Sequence, residues 1–266
     1  MLRNAWRSFR SIFAFFFFTG RKAKKTKVFF VIGCLPVLMA FIIKLNQAFF
    51  GGRTIESMGV FSNIIMAFYL QFLILILALF YGSSVCLEEI EGKTLTYLTT
   101  KPISKSAIVV GKYGAYVVFV VAMVAAGVVF SFLILNFEDL LDLSIWKVLA
   151  NDLAVLALGL ICYTAFFAFL GTFFKRSILF GLIFAFGWEN VVQYFPGATQ
   201  RFTIVHYLKS LLPGGTVTTG GRFAFLLFRL EPSSPLAAIA TLLIVTAVFL
   251  GLACLLFSQK EYLFED

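Results

Sequence analysis

The sequence predicts an all-α polytopic membrane protein: six transmembrane helices, an N-terminal interfacial helix and a short cytoplasmic helix between the second and third spans. Three observations carry this. Of the 266 residues, 61% are apolar or aromatic and 13% charged, whereas soluble domains average about 45–50% and about 25%. The apolar residues fall into six unbroken runs, each long enough to cross a hydrocarbon core of about 30 Å as a helix of about 20 residues. Lys and Arg are divided unequally between the two sides those runs define. Spans take up about half of the chain, which leaves little for a soluble catalytic domain.

The remaining composition narrows the function classes. The formal charge is +9, from 22 Lys and Arg against 13 Asp and Glu. Because the basic residues stand beside spans, they read as orientation signals and contacts to anionic lipid, not as a nucleic-acid surface. Cys34, Cys86, Cys162 and Cys254 lie within or at the ends of apolar runs, 52, 76 and 92 residues apart. That spacing suits neither a metal site nor a disulfide framework. His206 is the single histidine, too little for a histidine metal cluster or a Ser-His-Asp arrangement. Neither a metal site nor catalytic residues are expected, and the chain is not expected to be an enzyme.

Residues 1–27 form the interfacial helix and a basic tail. At 100° per residue, Leu2, Trp6, Phe9, Phe13, Phe16 and Phe17 share one face beside Arg3, Arg7 and Arg10, the pattern of a helix lying flat on a membrane. A cleaved signal peptide fits less well, since Arg21, Lys22, Lys24, Lys25 and Lys27 occupy the place of small cleavage-site residues. Residues 28–86 hold spans 1 and 2 (28–44 and 58–86). A polar connection, 87–112, precedes spans 3 and 4 within 113–174 (113–135 and 148–174). Span 5 covers 178–195. An extracytoplasmic re-entrant connection, 196–234, contains Pro196, Pro213 and Pro232 and an apolar stretch, Phe223 to Phe228, that dips into the outer interface. Span 6 covers 235–257. The N-terminal segment, the 87–112 connection, the Lys175-Arg176 turn and Lys260 place 15 basic residues on one side. Lys44, Arg53, Lys147, Arg201, Lys209, Arg222 and Arg229 place 7 on the other. Basic residues are retained inside, so the expectation is a multi-pass protein of the cell (cytoplasmic) membrane with both termini cytoplasmic.

The informative polar stretch runs from Glu88 through Glu89, Glu91, Gly92, Lys93, Thr94, Leu95, Leu98, Lys101 and Pro102 to Ser104 and Lys105. Gly92-Lys93-Thr94 mimics the tail of a phosphate-binding loop, but Leu87 stands where the first glycine belongs and three glutamates would repel phosphate. Read physically, the second span continues into the cytoplasm, with Leu95 and Leu98 near one face and Glu91 a turn earlier. Pro102 breaks the helix, and Ser104 can cap the next one. The product is an apolar tip with a charged rim, joined rigidly to two spans.

This residue order resembles the ABC type-2 transporter permease family, whose members carry a Glu-rich segment, Gly/Thr-Leu, a Leu-containing turn, Pro, a Ser-Lys or Ser-Arg pair and Gly-Lys. Here these are Glu88, Glu89, Glu91, Gly92, Thr94, Leu95, Leu98, Pro102, Ser104, Lys105, Gly111 and Lys112, with Lys93 inserted between Gly92 and Thr94. The layout is similar too, including Trp188-Glu189-Asn190 and Pro196-Gly197 before the last span. The resemblance implies the membrane half of an exporter, with a coupling helix through which Glu88, Glu91, Thr94, Leu95, Leu98, Lys101 and Pro102 dock a dimeric cytosolic ABC ATPase. It implies no cofactor on this chain, ATP and Mg on the partner ATPase, and a second permease copy forming a homodimer in the lipid bilayer. An accessory extracytoplasmic protein is a further candidate partner. The competing reading is a stand-alone channel or secondary carrier with no ATPase, which would show paired inverted repeats with broken helices.

Asp152 and Glu189 are the ionisable residues closest to span interiors, expected near the outer ends of their spans, where charge costs less. Two readings stay open for Glu189, Asn190 and Gln193: outer-interface residues, or the outer mouth of a translocation path. Asn63, Tyr69 and Gln71 of span 2 are further path candidates, or ordinary interhelical hydrogen-bonding groups. His206 reads as a polar residue of an outer amphipathic segment, with proton sensing as the alternative.

Overall fold

The computed structural model describes residues 13–20, 24–50, 57–91, 105–174, 176–192, 198–212 and 233–259. Among them there is no strand. Among the described residues eight α-helical elements follow in order, with a 3-10 turn at Ala198–Phe202 between the sixth and seventh: α1 (13–20), α2 (24–50), α3 (57–91), α4 (Lys105–Leu135), α5 (Leu143–Phe173), α6 (Ser177–Val192), α7 (Ile204–Leu211) and α8 (Pro235–Gln259). Five stretches are long and apolar enough to cross a membrane: Thr26–Gln47, Met66–Leu87, Lys105–Leu135, Leu143–Phe173 and Pro235–Gln259. The run expected as span 5 appears as α6, an apolar helix with 16 described residues.

Helix boundaries overrun the apolar runs that predicted them. α4 begins at Lys105 and not near residue 113, and α5 at Leu143 and not near 148, because hydrogen bonding continues past the point where hydropathy falls. The 87–112 connection is therefore shorter than expected, since α3 also runs on to Glu91. α2 is interrupted at Cys34 between Lys24–Gly33 and Leu35–Phe50. Pro36 explains this: it has no N–H to offer the carbonyl of Ile32. α3 contains two π-helical stretches, Phe61–Ile65 and Tyr69–Leu73, and α6 one, Ile183–Trp188.

α5 is the central helix, packed against α3, α8, α4, α6 and α7. Its seam with α3 is built of small residues. A Cβ placed on Gly171 would stand 2.8 Å from the Ser83 carbonyl oxygen, and one on Gly82 would stand 2.8 Å from that of Thr164. Backbone thus touches backbone, as in close membrane-helix crossings.

α1 packs against α4. Phe16 is buried against Ile108 and Ala115 of α4, Phe13 and Phe17 pack beside it, and Phe15 and Phe18 face out, each 63% exposed. Lys112, only 1% exposed, holds its Nζ 4.9 Å from the Phe16 ring centre and 5.7 Å from that of Tyr116. At the opposite end of the bundle, Lys44 pairs with Glu138 at 2.9 Å, and Asp142 caps α5 by accepting from the Ser144 N–H at 2.9 Å.

Candidate functional site

The expected docking segment is rooted at both ends in packed structure. α3 carries the chain to Glu91, so Glu88 and Glu91 lie on its last turns. Below them Val85 and Cys86 are buried, while the Tyr81 hydroxyl shares a 2.9 Å hydrogen bond with Thr26 of α2. On the other side Lys105 opens α4, and its Nζ donates to the Ser258 carbonyl of α8 at 3.4 Å. One turn-pair further, Lys112 sits under α1. Thr94, Leu95, Leu98, Lys101 and Pro102, and with them the expected coupling helix, lie outside the described residues.

The span 2 candidates are distributed differently from one another. Asn63 lies in the first π-helical stretch. Tyr69 opens the second, is 0% exposed, and points its hydroxyl at Gly127 of α4, where a Cβ would meet it at 2.6 Å. Gln71 is half-buried. Phe72, its neighbour, meets Phe186 of α6 with ring centres 6.0 Å apart, which brings π-helical parts of α3 and α6 together.

Glu189 is 1% exposed, and its electrostatic neighbours are Tyr163 and Cys162 of α5. Tyr163 is ten residues from Phe173, the α5 terminus nearest the start of α6, or about 15 Å at 1.5 Å per residue. Asn190 is half-buried and donates from Nδ2 to the Ala185 carbonyl at 2.9 Å. Gln193 lies outside the described residues. Asp152 is 2% exposed in α5, nine residues from Leu143.

The Glu189 carboxylate accepts from two backbone N–H groups at the start of α7: Ile204 to Oε1 at 3.1 Å and Val205 to Oε2 at 3.2 Å. Thr203, in the N-cap position, gives α7 no side-chain cap, since its hydroxyl donates to the Gln200 carbonyl. Glu189 thus supplies acceptors that a helix terminus away from water requires. From there α7 runs beside the half of α5 that begins at Leu143. Leu208 fills the space over Gly159, and Asn151 Nδ2 donates to the Leu211 carbonyl at 3.0 Å. His206 Nε2 hydrogen-bonds the Ser233 hydroxyl at 3.1 Å, and the Ser233 N–H donates to Ser210 Oγ at 3.3 Å, which ties α7 to the start of α8. Burial of the imidazole gives His206 these specific partners. The stretch Phe223 to Phe228 lies outside the described residues.

Sequence reading missed the cap because its two halves are 15 residues apart across a segment of no regular pattern. The available signal was a carboxylate at the end of an apolar run, followed by an amphipathic helix.

No curated protein matches the chain. The family model described as ABC-2 family transporter protein matches residues 20–188, from the end of α1 to the turn before Glu189, and so covers the Glu-rich segment, its two roots and the α3–α5 seam. The chain belongs to the ABC-2 transporter protein family.

Proposed function

We propose that the protein is the membrane permease subunit of an ATP-binding-cassette exporter, driven by ATP hydrolysis on a separate cytosolic ATPase. The observation that carries this reading is the family match over residues 20–188. It includes the segment from Glu88 to Pro102 and both helices that anchor it. In this reading Glu88 and Glu91 meet basic groups of the ATPase, Leu95 and Leu98 are the apolar anchors, and Thr94, Lys101 and Pro102 complete the docking surface. ATP and Mg belong to the partner, and this chain catalyses no reaction. Two copies pair as a homodimer in the cell membrane with cytoplasmic termini, and cargo moves outward between them. An accessory extracytoplasmic protein would meet the end of the bundle bearing the 196–234 connection.

The break between α6 and α7 favours a second reading, a secondary carrier, whose substrate sites are built at discontinuous helices. Such a carrier needs a matching break in a related half. Among the described residues α4, α5 and α8 run unbroken and α2 is only interrupted at Cys34, so the permease reading is the better supported.

The test is affinity purification of the full chain with its ATPase. Leu95→Asp and Glu91→Lys should leave the protein in the membrane and abolish ATPase recovery. Recovery of ATPase with both variants, at undiminished turnover, defeats the reading.

A further inference from the structure

We propose that the break in α2 forms, with Tyr69 of α3 and Ser131 of α4, a site for one alkali-metal cation held by neutral oxygens inside the bundle. The site goes beyond the permease reading and does not rest on it.

Three observations lead here. First, α2 leaves carbonyls without helical donors inside a span. Pro36 offers no N–H to the Ile32 carbonyl, and bonding resumes with the Leu38 N–H to the Cys34 carbonyl at 3.0 Å. The Ile32 and Gly33 carbonyls stand in that gap, at the C-terminal end of the half-helix Lys24–Gly33 and within the apolar stretch Thr26–Gln47. A helix C-terminus carries partial negative charge, and carbonyls freed by a broken membrane helix can coordinate small cations. Second, Tyr69 is 0% exposed, and its hydroxyl has no hydrogen-bond partner among the described residues. A phenylalanine would fill nearly the same volume without leaving a buried hydroxyl unsatisfied. Tyr69 also opens a π-helical stretch, an irregularity frequent at functional sites. Third, these groups converge. A Cβ on Gly127 would meet Tyr69 Oη at 2.6 Å and the Gly33 carbonyl oxygen at 3.3 Å, so both oxygens face the space that a side chain at 127 would fill. Ser131, one turn further along α4, donates to the Gly127 carbonyl at 2.9 Å and, with Cys34, is an electrostatic neighbour of Tyr69.

The chemistry of these groups selects the occupant. The carbonyls only accept, and the Ser131 hydrogen is already given, so the cluster presents lone pairs and suits a cation, not an anion. No carboxylate is among its members, and among the described residues no three His, Cys, Asp or Glu gather to hold a metal. Divalent and transition metals favour such ligands. Carbonyl oxygens alone can replace the hydration shell of an alkali ion. An ion bound here would join α2, α3 and α4 at one point.

The full chain is purified in dodecyl maltoside with choline chloride and titrated separately with NaCl and KCl at constant ionic strength. Thermal unfolding is followed by tryptophan fluorescence. One of the two ions should raise the midpoint saturably, by at least about 5 °C once it exceeds its dissociation constant about 100-fold. The same ion in radiolabelled form should bind saturably and be displaced by its unlabelled chloride but not by choline chloride. Two variants locate the site. Tyr69→Phe removes one ligand oxygen and keeps the ring, and Pro36→Ala restores a donor for the Ile32 carbonyl. Each should lose at least about ten-fold in ion affinity yet unfold in choline chloride no earlier than the unaltered chain, because each also removes an unsatisfied group. If neither ion has a saturable effect on the unaltered chain, the cluster holds only water and the proposal is overturned. An ion effect that both variants keep in full overturns it too, since the ion then binds elsewhere. Should either variant fail to fold, Ser131→Ala takes its place with the same two outcomes.

Discussion

The α3–α5 seam permits a stability prediction whose size follows from geometry. In Gly171→Ala the new methyl would start 2.8 Å from the Ser83 carbonyl oxygen, 3.1 Å from its Cα and 3.3 Å from its carbonyl carbon. All three atoms are backbone, so no rotamer change relieves the contact. Ordinary contact begins at 3.4 Å, so the helices must part by roughly 0.6 Å along this stretch. A radial gap of about 0.5–1 Å forfeits about a quarter to a half of each dispersion well, and Ala78, Ser83, Thr164, Phe167 and Ala168 all lie buried or near-buried in this part of the bundle. Overpacking of this kind costs about 1–3 kcal/mol. The gain of up to about 1 kcal/mol that alanine brings to a helix in water shrinks in a membrane, where the separated helices stay helical. Gly171→Ala should therefore lose about 1–3 kcal/mol.

Gly82→Ala meets Thr164 O at 2.8 Å and should behave alike. The double variant should lose less than the sum, since one opening serves both methyls. Gly251→Ala in α8 has nothing within 4 Å of the new atom and is the matched control. The assay is SDS-induced unfolding in mixed micelles, followed by tryptophan fluorescence. If Gly171→Ala and Gly82→Ala unfold together with Gly251→Ala, the seam does not hold the bundle and the reasoning fails.

Two further outcomes follow from the two ends of the bundle. Lys112→Met removes the cation over Phe16 and Tyr116, an interaction of about 2 kcal/mol or more when desolvated. Hydrogen exchange in residues 13–20 should rise about thirty-fold, and unchanged protection would separate α1 docking from the cation. At the opposite end, the Ser144 backbone N–H and hydroxyl hold the Asp142 carboxyl below its ordinary range. A depressed carboxylate stabilises above the unfolded-state value of about 3.9 and loses that contribution as pH falls through the folded value. The thermal stability of Asp142→Asn should be flatter than that of the unaltered protein below about pH 4, and identical acid limbs would contradict the cap.

What the sequence made legible is what depends on neighbours along the chain. Phe13, Phe16 and Phe17 sort from Phe15 and Phe18 because a helix imposes its period on the backbone whatever surrounds it. The long spans were visible for the same local reason, as unbroken apolar runs. Their ends were not, because Lys105 and Lys112 flank the start of a run that is helical throughout, with Lys112 sheltered under an aromatic residue from a distant part of the chain. Glu189 shows the deeper limit. Hydropathy ranks a carboxylate at the end of an apolar run as interfacial, since an exposed charge at depth is costly. Two amides brought in by a segment 15 residues further on change that balance, and hydropathy cannot register a partner that arrives from outside its window.

Depth and seam together suggest how the two ends of the bundle communicate on the proposed reading. The docking segment hangs from α3, while the residues that contact α7 (Asn151, Gly159) sit on α5. Between them stands the Gly82–Gly171 crossing, where backbone abuts backbone. Flexible side chains absorb a small displacement by changing rotamer, but a backbone contact at van der Waals distance has no such freedom, and packed interiors pass strain on. A shift of α3 at Glu91 therefore moves α5 with it and carries the Gly159 notch past Leu208. The deep end of α7 is held by Glu189, which belongs to α6 and not to α5. Relative motion of α5 against α6 thus strains the bonds from the Ile204 and Val205 amides to Glu189.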